Sequence, residues 1–323
     1  MSHPHPAIFQ LPDMYQFFEN TRNFEPEIII ASDDNSVICG VLLAVIIREK
    51  RWPVSYFSSR TIVYGGPLID NNRSDNADIL DLLLKVLIQK VSDKSVFIQL
   101  RNFFDWKPYN YIFEKYGFIL TERLNLIVDT SNRRQLMLKL SKSKIRQVNQ
   151  ALKNGVEIIQ TGTLNDVRVF YEILHRLYRF KVRKPLPGWS FFENYYNYCN
   201  EGGPGVILLI RFKNRIIGGI LCPVTPFNTI YEWYVCGLDG EYKKLYPSVV
   251  ATCAAIDYAI NHNIPAFDFM GVGRPDKEYG VRDFKMKFGG NMVNYGRWSR
   301  INNKLLYTLS EIGYNVLSWF KTI

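Results

Sequence analysis

The order of strand-like and helix-like runs predicts an α/β protein whose two halves are copies of one unit, each a mixed twisted sheet flanked by helices. Three observations carry this. Each half opens with paired strand-like runs, and each closes in the order helix, strand, helix, strand. The second helix of each half ends alike, FEKYG at 113–117 beside KMKFG at 285–289. A chain of 323 residues is also long for one core and suits two domains.

The first half begins with EIIIAS and VICGVLLAVIIR, apolar runs too short to span a bilayer and suited to buried strands. ILDLLLKVLIQKV, 79–91, has the apolar density of a half-buried helix, and SVFIQL follows as a strand. PYNYIFEKYG, 108–117, reads as a short helix with Pro in its first turn and Gly at its stop, and FILTERLNLIVDT as a strand. LMLKLSKSKIRQVNQALKNGVEI, 136–158, is a basic helix candidate stopped near Gly155. The second half repeats the plan with GVILLIRF, RIIGGILCPVT and TIYEWYVCG as strands, SVVATCAAIDYAIN as a helix and AFDFM as a strand. A turn GVGRPD, a short helix ending in FKMKFGG, and the run MVNYGRWSRI complete it. The expected division is therefore an N-terminal segment 1–25, a first domain 26–130, a connecting basic helix 131–155, a second domain 156–300 and a C-terminal amphipathic helix 301–323. In that last helix Leu305, Leu306, Leu309, Ile312, Val316, Leu317 and Trp319 are the residues expected to pack on the fold.

Several chemistries find no support. HExxH, EF-hand, Walker A and GxSxG patterns are absent, and His3, His5, His175 and His262 are scattered, so no metal is expected. The five cysteines lack CxxC spacing and read as buried free thiols. GVG at 271–273 follows a strand, but Asp276 stands where a dinucleotide loop needs its third Gly and Pro275 interrupts the helix start, so the glycines shape a turn. The N-terminus has no basic stretch leading into an apolar run, which makes the cytoplasm the expected compartment. A net charge of +10 favours polyanionic partners. Lys139, Lys142, Lys144, Arg146 and Lys153 cannot share one helical face, so the basic helix reads either as a solvated connector or as a surface that tracks phosphates.

The sharpest single feature is Lys285. Aligning the copies sets it against Phe113, so a core-type position in the first half has become a cation in the second. A half-buried ammonium needs a counter-charge or a use for its own charge; Asp268, Glu278 and Asp283 are the carboxylates near in sequence. A charged lysine after a strand end is suited to supporting negative charge that develops on a carbonyl oxygen, which points to acyl transfer.

FDFMGVGRPDKEYGVRDFKMKFGG, 267–290, together with LSKSKIRQVNQALKNGVEI and VYGGPLID, resembles the Fem family of peptidoglycan-bridge aminoacyltransferases, and FEKYGF is similar to the helix-to-strand end of GNAT N-acyltransferases. The resemblance covers about residues 26–300 and implies two tandem GNAT-like domains in a compact form without a long helical arm. It implies transfer of an amino acid from aminoacyl-tRNA to an amine of a cell-wall precursor stem peptide, with no further cofactor, by a protein peripheral to the inner face of the membrane. The family's catalytic Phe-Lys pair falls on Phe284 and Lys285. Its phosphate-binding arginine falls on Arg183, or alternatively Arg179, with Tyr279 and Arg282 beside the substrate and Lys142, Lys144 and Arg146 toward tRNA or phosphate. An N-acyltransferase using acyl-CoA on an amino sugar or small amine is the alternative, although GLDGEYKKLYPSVVAT, 237–252, lacks the usual basic-GxG/A pyrophosphate loop.

Overall fold

Periodic apolar faces settle most of the elements. The structure, a computed structural model, describes residues 3, 5–48 and 59–310 and divides the chain into two units, 1–122 with 295–323, and 123–294.

In the first unit, α1 (Pro12–Glu19) leads into β1 (Phe24–Ser32), β2 (Ile38–Ile47), β3 (Arg60–Tyr64) and β4 (Leu68–Ile69). Then come α2 (Asn76–Val91), β5 (Phe97–Arg101), α3 (Asn110–Lys115) and β6 (Ile119–Thr121). Ile79, Leu80, Leu83, Leu84, Leu87 and Val91 put α2's apolar stripe into the core at helical spacing. Because α2 crosses the sheet, β3 and β5 pair in parallel, whereas the other strand pairs of this sheet are antiparallel. The N-terminal segment belongs to this unit: the buried Gln10 donates from Nε2 to the carbonyls of Leu43 and Tyr64, at 3.0 and 2.9 Å.

The second unit runs through β7 (Leu124–Asp129), α4 (Arg133–Lys139), α5 (Lys142–Lys153), β8 (Val156–Gln160), α6 (Leu164–Leu177) and α7 (Trp189–Asn200). It continues with β9 (Gly205–Phe212), β10 (Arg215–Thr225), β11 (Thr229–Tyr231), β12 (Tyr234–Gly237) and α8 (Pro247–Asn261). β13 (Ala266–Asp268), α9 (Gly280–Met286) and β14 (Asn291–Asn294) complete it. The same logic recurs: α8 crosses the sheet, β11 and β13 are parallel, and α8 is rich in buried Val and Ala. Gly117 and Gly289, at φ 74° and 82°, end α3 and α9 in the left-handed region that glycine adopts without strain.

Three expectations change. The basic helix at 136–158 is two helices and a strand: Leu140 turns extended at ψ 129°, and the Ser141 N–H pairs with the Lys287 carbonyl at 3.0 Å. The run at 118–130 is two strands, β6 and β7, and the run at 292–301 is likewise split into β14 and β15 (Arg297–Ile301) at Gly296, φ 68°. The split strands serve different sheets. β15 lies between β5 and β6 in the order β1-β2-β3-β5-β15-β6, and β7 lies between β14 and β13 in the order β14-β7-β13-β11-β10-β9-β8. The second unit is thus the continuous stretch 123–294 with β7 as its first strand, and the first takes β15 from beyond it, where boundaries at 130 and 300 were expected. Of the C-terminal helix, residues 304–310 are helical with Leu305 and Leu309 exposed; Ile312, Val316, Leu317 and Trp319 lie outside the described residues.

Trp298 on β15 is buried and stacks on Phe113 with ring centroids 4.7 Å apart. Phe113→Leu and Trp298→Leu, measured singly and together by denaturant unfolding, are expected to show a coupling of about 1 kcal/mol, as stacked aromatic pairs do. Additive effects would contradict this placement of β15.

Candidate active site

The chemistry of the second unit gathers where two parallel strands part. Tyr231 and Asp268 are the last residues paired between β11 and β13, and the Glu232 N–H donates to the Asp268 carbonyl at 2.8 Å as a final rung. Beyond it β12 turns to β10, with the Trp233 N–H on the Leu221 carbonyl at 3.1 Å. The other chain follows β7 instead, with Phe269 N–H on the Leu126 carbonyl at 3.1 Å, through Met270, Gly271 and Gly273 at positive φ.

Parting leaves the Phe269 and Gly271 carbonyls without strand partners. Lys285 on α9 takes both, donating from Nζ at 2.9 and 3.3 Å, and places the same ammonium 2.9 Å from Glu232 Oε1. Its three N–H donors match these three acceptors. Thr252 on α8 donates to the other Glu232 oxygen at 3.4 Å. The Glu232 side chain is 3% exposed and that of Lys285 12%, so the carboxylate is buried and the ammonium nearly so. Burial lifts the Glu232 carboxyl above its ordinary range, and the Lys285 charge, then its hydrogen bond, oppose the rise without cancelling it.

A second buried carboxylate stands behind the pair. Asp268 accepts from Asn125 Nδ2 at 2.8 and 2.9 Å and from the Met270 N–H at 2.6 Å. Burial nonetheless pushes its carboxyl up to about 6. Tyr178, on the π-helical turn Tyr178–Val182 after α6, is pushed up to about 12, chiefly by burial and further by Cys236, Tyr279 and Glu232.

The remaining expected site residues divide among three places. Phe284 lies beside Lys285 in sequence, packs on the core, and carries the Lys144 ammonium 4.1 Å from its ring centroid. Lys144 also lies 5.4 Å from the Phe288 ring and is buried, so it faces inward from α5 and is not the surface phosphate contact expected; burial, and then the charge of Lys287, lower its pKa. Lys142 and Arg146 are exposed on α5. Arg282 spends its guanidinium on backbone, donating to the carbonyls of Val272, Lys277 and Arg274, and so fastens the glycine turn. Tyr279 is 37% exposed at the start of α9. Arg179 and Arg183 are exposed on and just after the π-helical turn, Arg183 at φ 54°. Glu278 and Asp283 are exposed, and none of the three carboxylates near in sequence is the lysine's ion-pair partner. That partner, Glu232, was missed; its signal was a lone carboxylate inside the aromatic run TIYEWYV.

The start of α8 carries the remaining clue. Asp239 Oδ1 accepts from the Ser248 N–H at 3.3 Å, and a Cβ on Gly237 would meet that nitrogen at 2.4 Å. The helix N-terminus that could receive a pyrophosphate is closed by the chain's own carboxylate.

The model of the FemAB family matches residues 215–315, which span β10–β15, Glu232 and Lys285. No curated protein matches the chain in sequence. Among solved structures, one described as FemX superposes with a TM-score of 0.71 at 17% identity, over 95% of each chain. A tandem GNAT protein from the clavulanic acid biosynthesis pathway gives 0.56 at 9% identity, over 94% of this chain and 90% of the other. The C-terminal domain of a lysylphosphatidylglycerol synthetase homologue from Agrobacterium fabrum gives 0.54 at 10%, over 90% and 88%. The tandem GNAT-like fold and the Fem-type resemblance of residues 215–315 therefore stand. Among the described residues no helix is long and apolar enough to cross a membrane.

Two measurements probe the site's electrostatics. Lys285→Met or Glu232→Gln alone is expected to cost about 3–5 kcal/mol in denaturant unfolding, because each strands a buried partner, and the double variant less than the sum; additive losses would show that the two groups do not interact. Asp268 has a folded pKa raised from 3.8 to about 6, so its contribution to stability is fully present below about pH 4 and is lost as pH rises through 6. Between pH 7 and pH 4 the wild type is expected to gain about 2 kcal/mol relative to Asp268→Asn. Parallel pH profiles would refute the raised pKa.

Proposed function

We propose that the protein transfers an amino acid from aminoacyl-tRNA to an amine of a peptidoglycan-precursor stem peptide. The observation that carries this is the Lys285–Glu232 pair at the parting of β11 and β13, inside the segment that matches the FemAB family. An aminoacyl ester is already activated, so the enzyme has chiefly to align the acceptor amine with the ester carbonyl and support the oxyanion.

Lys285 supplies that support. Its Gly271 contact, at 3.3 Å, is the longest of its three, and a substrate carbonyl takes its place as negative charge develops. Glu232 keeps the ammonium oriented throughout. Phe284 lies against the acyl donor, with Lys144 behind its ring. Tyr279, with Arg183 or Arg179 on the turn that begins at the half-buried Tyr178, receives the phosphates of the acceptor, and Arg282 holds the glycine turn in shape. The carboxylate-filled start of α8 favours an ester carried by RNA over a CoA thioester, whose pyrophosphate would meet Asp239. The protein would work at the inner membrane surface, where lipid-linked precursors reside.

The test incubates purified protein with labelled charged tRNA and a stem-peptide precursor. Label is expected on the acceptor amine, and Lys285→Met, checked for folding by circular dichroism, is expected to slow transfer by about 10²–10³-fold, the usual cost of losing one oxyanion donor. Transfer from acetyl-CoA instead of tRNA would overturn the donor assignment. An unimpaired, folded Lys285→Met would remove the lysine from the mechanism.

A further inference from the structure

The two faces of α5 do different work. Its inner face carries Lys144 against Phe284 and Phe288, the aromatic residues on either side of Lys285. Its outer face carries Lys142, Arg146, Asn149, Gln150, Lys153 and Asn154 around a shallow open hollow of about 510 Å³. Among the described residues none of these three cations makes an ion pair, whereas Lys94, Lys115, Arg48, Arg73 and Arg211 all do. A stripe of fixed charge left without carboxylates is poorly placed to stabilise the fold and well placed to receive a polyanion.

Its spacing narrows the class of ligand. At 1.5 Å rise per residue, residues 142, 146 and 153 set charges along a helix face at intervals of about 6 and 10 Å. That scale suits successive phosphates of a nucleic-acid strand, and the interleaved amides at 149, 150 and 154 add hydrogen-bonding capacity for phosphate and sugar oxygens. The side chains that line the hollow include a single apolar one, Ile145, so the face offers little for a membrane interior.

We propose that the outer face of α5 is an RNA-backbone contact, seating the body of the tRNA while Lys144 on the inner face braces the Phe284–Lys285 helix. The choice of RNA rests on the aminoacyl-tRNA reading above. Lys144 is in this account a positioning residue that touches no substrate. The face confers affinity without base specificity, since its contacts are to phosphate and sugar.

The test measures binding of uncharged tRNA over a range of salt concentrations, so that it needs no turnover. The triple variant Lys142→Gln/Arg146→Gln/Lys153→Gln is expected to flatten the slope of log K against log salt by about 2–3 units, from three lost phosphate contacts. A control with the same charge change, Lys85→Gln/Lys213→Gln/Lys304→Gln, is expected to leave the slope near the wild-type value. Equal slopes for the wild type and the α5 variant would overturn the proposal, as would loss of binding to anionic vesicles with RNA binding intact. If RNA binding depends on the stripe but no transfer occurs, the RNA contact stands and the aminoacyltransferase reading falls. If transfer from tRNA occurs and the stripe is irrelevant to binding, the reverse holds.

Discussion

One ammonium holds the second unit's chemistry in place. Where β11 and β13 separate, the backbone loses the ladder that would satisfy the carbonyls of Phe269 and Gly271, and the residue whose N–H makes the last rung carries a buried carboxylate, Glu232. Unsatisfied carbonyls and an uncompensated buried charge would each cost several kcal/mol. Lys285 answers all three with its three donors. The parting of the strands, the glycine turn at 271–273 and the placement of α9 are consequently interdependent, because moving any one of them breaks part of the same set. The first unit solves the corresponding position without charge: Phe113 on α3 stacks on Trp298 of β15 in an apolar core.

A second constraint comes from how the sheets are completed. Because β15 enters the first unit's sheet, that unit cannot be finished by a contiguous stretch of chain, whereas the second, 123–294 with β7 at its start, can. The crossings fall where the sequence interrupts its strands, between residues 122 and 123 and next to Gly296 at φ 68°. The first unit's sheet therefore waits on a strand made after the whole of the second unit, and the two cores are separate clusters. The first unit's core includes a tryptophan from near the end of the chain.

Local sequence carried much of this. The apolar stripe of α2, the buried runs of β2, β9 and β10, the stops at Gly117 and Gly289, and the anomaly of Lys285 were all legible, because each depends on neighbours or on comparing the copies. What escaped reading depends on partners remote in sequence. Glu232 is 53 positions from Lys285 (285 − 232 = 53), and only the parallel pairing of β11 with β13 brings them together. Lys144 looked like one more solvated cation until Phe284 and Phe288 arrived from the other end of the unit to cover it. The split of the basic helix at Leu140 is fixed by the hydrogen bond from Ser141 to Lys287, again a tertiary contact against which helix propensity has no vote. The strand crossings were hidden for a different reason: periodicity identifies a strand but not the sheet that accepts it.

The anchoring of Lys285 bears on how it can act. A lysine whose donors were free would be a mobile hydrogen-bonding group whose reorganisation opposes catalysis at the moment charge develops. Here the ammonium is already fixed by Glu232 and two carbonyls, so its field is set before any substrate arrives. Glu232 partly offsets that field, so under the proposed function the lysine would act only at close range, where its longest bond, to Gly271, can be exchanged for another. The asymmetry between the copies then follows from one position. An apolar ring at 113 closes the first unit's core, and a cation at 285 gives the second unit a fixed charge where β11 and β13 part.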